Sequence, residues 1–294
     1  MSTPITPIPQ STYASFEPPP PTVADEINPD NPPWGIPGGV GLWLLSVMLI
    51  VIMPAMFLLP YAQQRGIGLE TLAEFATTDK TAIFLQVLSL IPTHLVTLAL
   101  AWALVTRLGK RPFFQTLGWT WSERFDLRKS VGLALGLYAV GFIIILIIGG
   151  PETQLAKIIS SSRPTAFLTA LMATATAPLV EEVIYRGLLY SGLRKTIGTA
   201  GAVVSVFLLF SLVHVPQYWP HFGIMLTICL LSLVLTLVRA WTKSLLPCFI
   251  IHLVFNGVQS ILIVFEPYFE KYLPERLQGA HLSPLVEQFA RLFA

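Results

Sequence analysis

The chain predicts an all-α, polytopic membrane bundle of about seven or eight transmembrane helices, and three observations carry that prediction. Of its 294 residues, 54% are hydrophobic and only 12% charged, with a mean hydropathy of +0.69. A soluble domain carries about 25% charged residues, so the deficit points to lipid as the solvent. The apolar residues fall in runs of the about 20 residues needed to cross a hydrocarbon core. The Lys and Arg residues gather in particular loops between those runs, as topology signals do.

Residues 1–37 precede the first run. They hold 11 of the 24 prolines, including Pro18 to Pro21, and no Lys or Arg. A stretch so poor in apolar residues does not bury enough surface to offset its ordering, so a disordered, cytoplasmic Pro-rich tail is expected there. No cleavable signal peptide is expected, because the first apolar run starts near Val40 and lacks a basic flank before it.

The membrane domain is expected over 38–265. Its apolar runs are 39–60, 81–108, 131–149, 166–190, 199–218, 222–240 and 244–265. Pro178 inside the fourth run would kink or break it, which would make an eighth segment. The loop after the second run carries Arg107, Lys110, Arg111, Arg124, Arg128 and Lys129, and positive-inside bias puts it in the cytoplasm. The same assignment places the N-terminus, Arg194, Lys195, Arg239 and Lys243 inside. A multi-pass protein of the cell's inner membrane follows. Residues 266–294 form a C-terminal tail in which Leu285, Val286, Phe289, Leu292 and Phe293 could make an interfacial helix.

Several classes are excluded or weakened by composition. The net charge is only +2 and no helix face is basic, so no nucleic-acid partner is expected. Cys229 and Cys248 lie in apolar runs without metal-ligand spacing and read as small hydrophobes. Gly132 and Gly136 form a lone GxxxG, a weak packing signal. His94, two residues after Pro92, would satisfy a carbonyl freed by that proline. His221 and His281 are expected at solvated interfaces.

Function is concentrated in the stretch 177–194, APLVEEVIYRGLLYSGLR. An ionised side chain at the bilayer centre costs roughly 2.5–3.5 kcal/mol on insertion scales, so Glu181, Glu182 and Arg186 need a specific reason to be there. Residues four apart on a helix are neighbours, so Glu182 lies over Arg186 and can neutralise it. Glu181 lies over Tyr185 and keeps no cation from its own helix. One glutamate is thereby a counter-ion, and the other suits a general base. A buried charge network with a purely structural role is the alternative reading of these three residues.

Two further polar clusters lie on other helices. Phe210 and His214 are one turn apart in the fifth run, and His252 and Asn256 share a face of the seventh. Each alone could be interhelical glue. Together, two carboxylates, two histidines and an amide on three spans are costly unless they converge on one another or on water.

The pattern E-E-x-x-x-R, then F-x-x-x-H, then H-x-x-x-N resembles the CPBP family of intramembrane proteases, over a motif core of 166–263. That family includes the type 2 CAAX prenyl proteases and bacterial relatives tied to bacteriocin self-immunity and processing. The resemblance implies an endopeptidase acting on a membrane-associated peptide, with membrane lipid and that substrate as its partners. It implies that Glu181 activates the attacking water with His214 as partner, that His252 and Asn256 stabilise the oxyanion, and that Glu182 and Arg186 form a structural pair. If a metal such as zinc is used, Glu181, His214 and His252 could ligate it, as a catalytic zinc keeps three protein ligands and a water. The chain has no H-E-x-x-H, and the expectation is water activation by Glu181 without an obligatory metal. A non-hydrolytic peptide-binding or immunity protein is the alternative, and an ion-coupled transporter the weakest, for want of inverted repeats. One tension stands: His214 falls near the outer end of its span and His252 near the inner half of its own.

Overall fold

The computed structural model describes residues 28–272, and every regular element among them is a helix. Residues 1–27 of the expected tail, His281 and the expected interfacial helix lie outside the described residues. Twelve α-helices follow in order: α1 (Ile36–Gln64), α2 (Leu72–Thr78), α3 (Lys80–Leu88), α4 (Leu90–Thr106), α5 (Phe113–Leu117), α6 (Leu127–Ile148), α7 (Gln154–Ser161), α8 (Arg163–Leu171), α9 (Ala177–Glu181), α10 (Tyr190–Tyr218), α11 (Phe222–Thr242) and α12 (Leu246–Tyr272). Side-chain oxygens of Asp79, Asp126, Thr153 and Ser162 accept from first-turn amides and start α3, α6, α7 and α8.

Among the described residues, six helical runs are long and apolar enough to cross a membrane, against the seven or eight expected. The difference lies in the fourth run, Arg163–Tyr218, which has 56 residues. It contains Gly198 at φ 74° and ψ 177°, a non-helical conformation that glycine adopts without a Cβ penalty. The chain doubles back there, because the Tyr185 and Phe210 rings end up 5.0 Å apart. A straight helix rising about 1.5 Å per residue would hold them far apart. Pro178, by contrast, does not break the run. It sits in the first turn of α9, between π-helical segments Met172–Thr176 and Glu182–Leu189 that keep the helix continuous.

The doubling also removes the mismatch in depth. Glu181 and His214 lie nearly equal numbers of residues before and after Gly198, so the fold brings them to one level. The Gly198 turn protrudes, with residues 195–200 exposed. The α11–α12 turn does not, for Ser244 and Leu245 are buried. His252 therefore needs only a turn or two of α12 to reach that same level.

Two ends of the bundle can be told apart. At one, Leu245 N donates to Gly118 O at 2.8 Å, and Gly118 also lies against Pro29 and Lys243. Asp30 bridges Arg239 at 3.0 Å and Arg194 at 3.1 Å. Residues 28–35, read from sequence as the end of the tail, thus dock on the bundle, and Trp34 is buried with its Nε1 donating to Leu188 O at 3.1 Å. This basic end also carries Arg107 and Arg128. At the opposite end the α6–α7 connection meets the α10–α11 turn, where Gly150 lies against His221. His221 is buried, not solvated, and its Nδ1 accepts from Ile224 N at 3.4 Å at the start of α11. Gly132 and Gly136 meet no neighbour within 4 Å, so that motif packs nothing inside the chain.

Candidate active site

Helix irregularity builds the wall that carries the glutamates. In the first π-helical segment Ala177 N bonds Met172 O, so the carbonyl of Ala173 falls to the next residue, Pro178, which has no N–H. Asn256 Nδ2 donates to that carbonyl at 3.0 Å. Ser260 Oγ does the same for Ala170 O at 3.1 Å, also from α12. The Ala173 carbonyl left over by the π geometry and the buried Ala170 carbonyl thus both bond α12 and hold it against Glu181.

Glu182 and Arg186 are fully buried and joined at 3.0 Å, as their spacing predicts. Arg186 also donates to Ser232 O at 3.1 Å, Ser232 Oγ at 3.3 Å and Thr236 Oγ1 at 3.3 Å on α11. Its guanidinium lies 4.5 Å from the centroid of the Phe210 ring. Glu182 has a second duty that the sequence reading omits: its Oε1 also accepts from His252 Nδ1 at 2.8 Å. An ionised carboxylate is acceptor-only, so this bond puts a proton on Nδ1 and turns the other nitrogen, Nε2, outward. Nε2 lies 3.6 Å from Glu181 Oε2.

His214 stacks on Phe210 at 4.5 Å, and its Nδ1 donates to Phe210 O at 2.7 Å. That leaves Nε2 of His214 as its acceptor. Phe210 therefore touches Arg186 and His214 together, and its edge faces His252 at 6.1 Å, which gives the aromatic position of the motif a physical purpose. Glu181, His214, His252 and Asn256 all line one cavity of about 310 Å³. The Glu181 side chain is 26% exposed, whereas that of Glu182 is 0% exposed. Among the described lining residues Glu181 is the one carboxylate.

The part of the chain that carries this geometry, residues 163–258, resembles a known protein family. They match the type II CAAX prenyl endopeptidase Rce1-like family. The Rce1-like segment runs from α8 into α12 and takes in every motif residue from Glu181 to Asn256, in agreement with the resemblance seen in the motifs. No curated protein and no solved structure matches the chain. The Rce1-like family is a protease family, which supports an enzyme, and the six apolar runs make the chain an integral, multi-pass membrane protein.

Outside the Rce1-like segment the cavity gains groups that motif reading did not select. His94 lines it from α4, with Nδ1 2.8 Å from Thr176 Oγ1. It therefore bonds the irregular helix and not a carbonyl of its own proline-bearing turn. Tyr138 and Gln259 also line the cavity from outside that segment, and Gln217 lines it from within. Only their occurrence as polar side chains inside apolar runs could have marked them.

Among the described residues no three His, Cys, Asp or Glu groups stand close enough to hold a metal ion. In the expected trio Glu181, His214 and His252, Nδ1 of each histidine is held, by Phe210 O and by Glu182, which leaves each Nε2 open.

Proposed function

We propose that the chain is an intramembrane endopeptidase that hydrolyses a peptide bond of a membrane-associated substrate with Glu181 as general base. The observation that carries this is the split between adjacent carboxylates: Glu182 is consumed by Arg186 and His252, and Glu181 faces the cavity. A water beside Glu181 loses its proton to that carboxylate as it attacks the scissile carbonyl, and Glu181 then returns the proton to the leaving amine. His214 Nε2 accepts from the same water and orients it. His252, held between two carboxylates, can carry a proton on both nitrogens and point Nε2–H at the developing oxyanion. The second amide hydrogen of Asn256, the one not spent on Ala173 O, points to the same charge.

The Rce1-like match makes a CAAX-type, prenylated peptide the first substrate to try. The positive-inside bias supports insertion in the cell membrane with the N-terminus cytoplasmic. The test uses purified protein in liposomes with paired fluorogenic peptides, one prenylated and one carrying only an apolar anchor. Cleavage by the wild type and none by Glu181→Gln is expected. Peptide binding without cleavage, equal in both proteins, would instead fit a binding or immunity protein. Phenanthroline or EDTA should leave the rate unchanged; loss of activity that added zinc restores would overturn the metal-free base mechanism.

A further inference from the structure

We infer that the cavity is entered from the end of the bundle opposite its basic loops, so that substrate comes from the extracytoplasmic side. This rests on the peptidase reading above and narrows its substrate to a membrane-anchored peptide whose scissile segment is presented on that side.

The lining residues show the same bias on five of the long helices, with α1 adding only the mid-helix Ile50. On α10 they run from Phe210 to Tyr218, away from Gly198; on α11 from Ile224 to Leu231, away from Arg239. On α12 they run from His252 to Gln259, away from Lys243, and on α6 from Tyr138 to Ile145, away from Arg128. On α4 only Leu90 and His94 take part, both far from Arg107. The stretch from α8 to Leu189 contributes Thr169 through Glu181 and nothing beyond, so Glu181 forms the floor.

Below that floor the way is shut. Glu182, Arg186, Leu188 and Leu189 are fully buried, and Leu117 and Leu245 pack beneath them. Residues 28–35 close the basic end further, through Asp30 on Arg239 and Arg194 and through Trp34 on Leu188. A peptide from that side would have to displace a buried ion pair and a packed core.

The other end has a rim suited to a peptide. Gln154 and Gln217 are exposed and line the cavity, and amide side chains can both donate to and accept from an extended backbone. The exposed Ile50 borders the same cavity from α1, where an apolar anchor can lie beside the helix in lipid. α7 sits across this mouth with Ala156 and Ile159 buried and Gln154 outward. Basic residues crowd the closed end, so positive-inside bias assigns the open end to the outside.

The test places one exposed cysteine at a time in the full chain with Cys229→Ala and the buried Cys248 kept: Gln154→Cys and Gln217→Cys at the mouth, and Lys195→Cys at the exposed Gly198 turn. Sealed right-side-out and inside-out vesicles are treated with a membrane-impermeant maleimide, and vesicles of both kinds carrying the unsubstituted chain are separately given an impermeant anchored peptide. Mouth cysteines should label only in right-side-out vesicles and Lys195→Cys only in inside-out ones, with cleavage confined to right-side-out vesicles. Mouth labelling in inside-out vesicles, or mouth and turn labelled from one side, overturns the entry route. Correct labelling with no cleavage in either vesicle leaves the route standing and counts against the peptidase reading alone.

Discussion

Glu181 and Glu182 are adjacent in sequence, yet each belongs to a different half of the bundle. On the basic side every buried charge is ion-paired, although Glu182 Oε2 and Arg239 Nε have no hydrogen-bond partner. Arg186 has Glu182, Ser232 and Thr236, and Arg239 has Asp30 at 3.0 Å and Ser191 Oγ at 3.2 Å, with Tyr190 stacked at 5.2 Å. On the cavity side the polar groups keep valences in reserve: Glu181 holds only the long 3.6 Å approach to His252, His214 keeps Nε2, and Asn256 keeps an amide hydrogen. Identical residue types thus hold helices together where they are buried in ion pairs and are available for chemistry where they face the cavity. His252 joins the halves, with one nitrogen on each glutamate.

Substituting the two glutamates should separate the halves most sharply. Glu181→Gln is expected to lower the cleavage rate about 10²–10⁴-fold, the usual worth of a general base, with the thermal midpoint in detergent unchanged. Retained cleavage would end the assignment of Glu181. Glu182→Gln should act first on stability, by about 3–5 kcal/mol, because Arg186 remains buried with its counter-ion removed. Denaturant titration in detergent micelles reads that loss. The rate should fall as well, since His252 loses the acceptor that fixes its orientation. A fully stable Glu182→Gln would mean that the basic half does not depend on charge pairing.

Asp30→Asn tests the same half away from the site. Asp30 is the counter-ion of the fully buried Arg239, but it is itself partly wet, so a loss of about 2–3 kcal/mol is expected, at or below the lower end for a broken buried pair. The rate per folded molecule should stay at the wild-type value. A drop in rate at constant stability would show that the strap formed by residues 28–35 reaches the cavity.

Much of this arrangement was legible in the apolar runs and the three motifs, because membrane-buried charges are costly and i,i+4 spacing is simple geometry. The pairing of Glu182 with Arg186 and the hairpin between the fourth and fifth runs follow from those two facts. What could not be read was anything set by interhelical contact. Nothing near Asp30 in its Pro-rich surroundings reveals Arg239, more than two hundred residues away in the chain. His94 looked like local repair of its own proline, since only the folded bundle brings Thr176 beside it. Helical spacing placed Glu182 over Arg186 but gave no sign of His252, which arrives from another span. Pro178 was read as a break because its missing N–H is visible in sequence, whereas the compensating amide of Asn256 is not.

That compensation supplies the finest test of the comparison, for Asn256 serves both halves at once. Asn256→Ala should cost about 10²–10³ in rate if its free hydrogen meets the oxyanion. It should also cost about 1–3 kcal/mol of stability, because the part-buried Ala173 O is left without its donor. Pro178→Ala restores an N–H at the position that would serve that carbonyl. In the double variant the stability loss should shrink by on the order of 1 kcal/mol while the rate loss persists, since a backbone amide inside the helix repairs the wall without reaching the substrate. Additive stability losses would mean that Asn256 does not stand in for the missing proline N–H. Recovery of rate along with stability would mean that Asn256 acts only by holding α12 in place, and that the oxyanion is met by His252 alone.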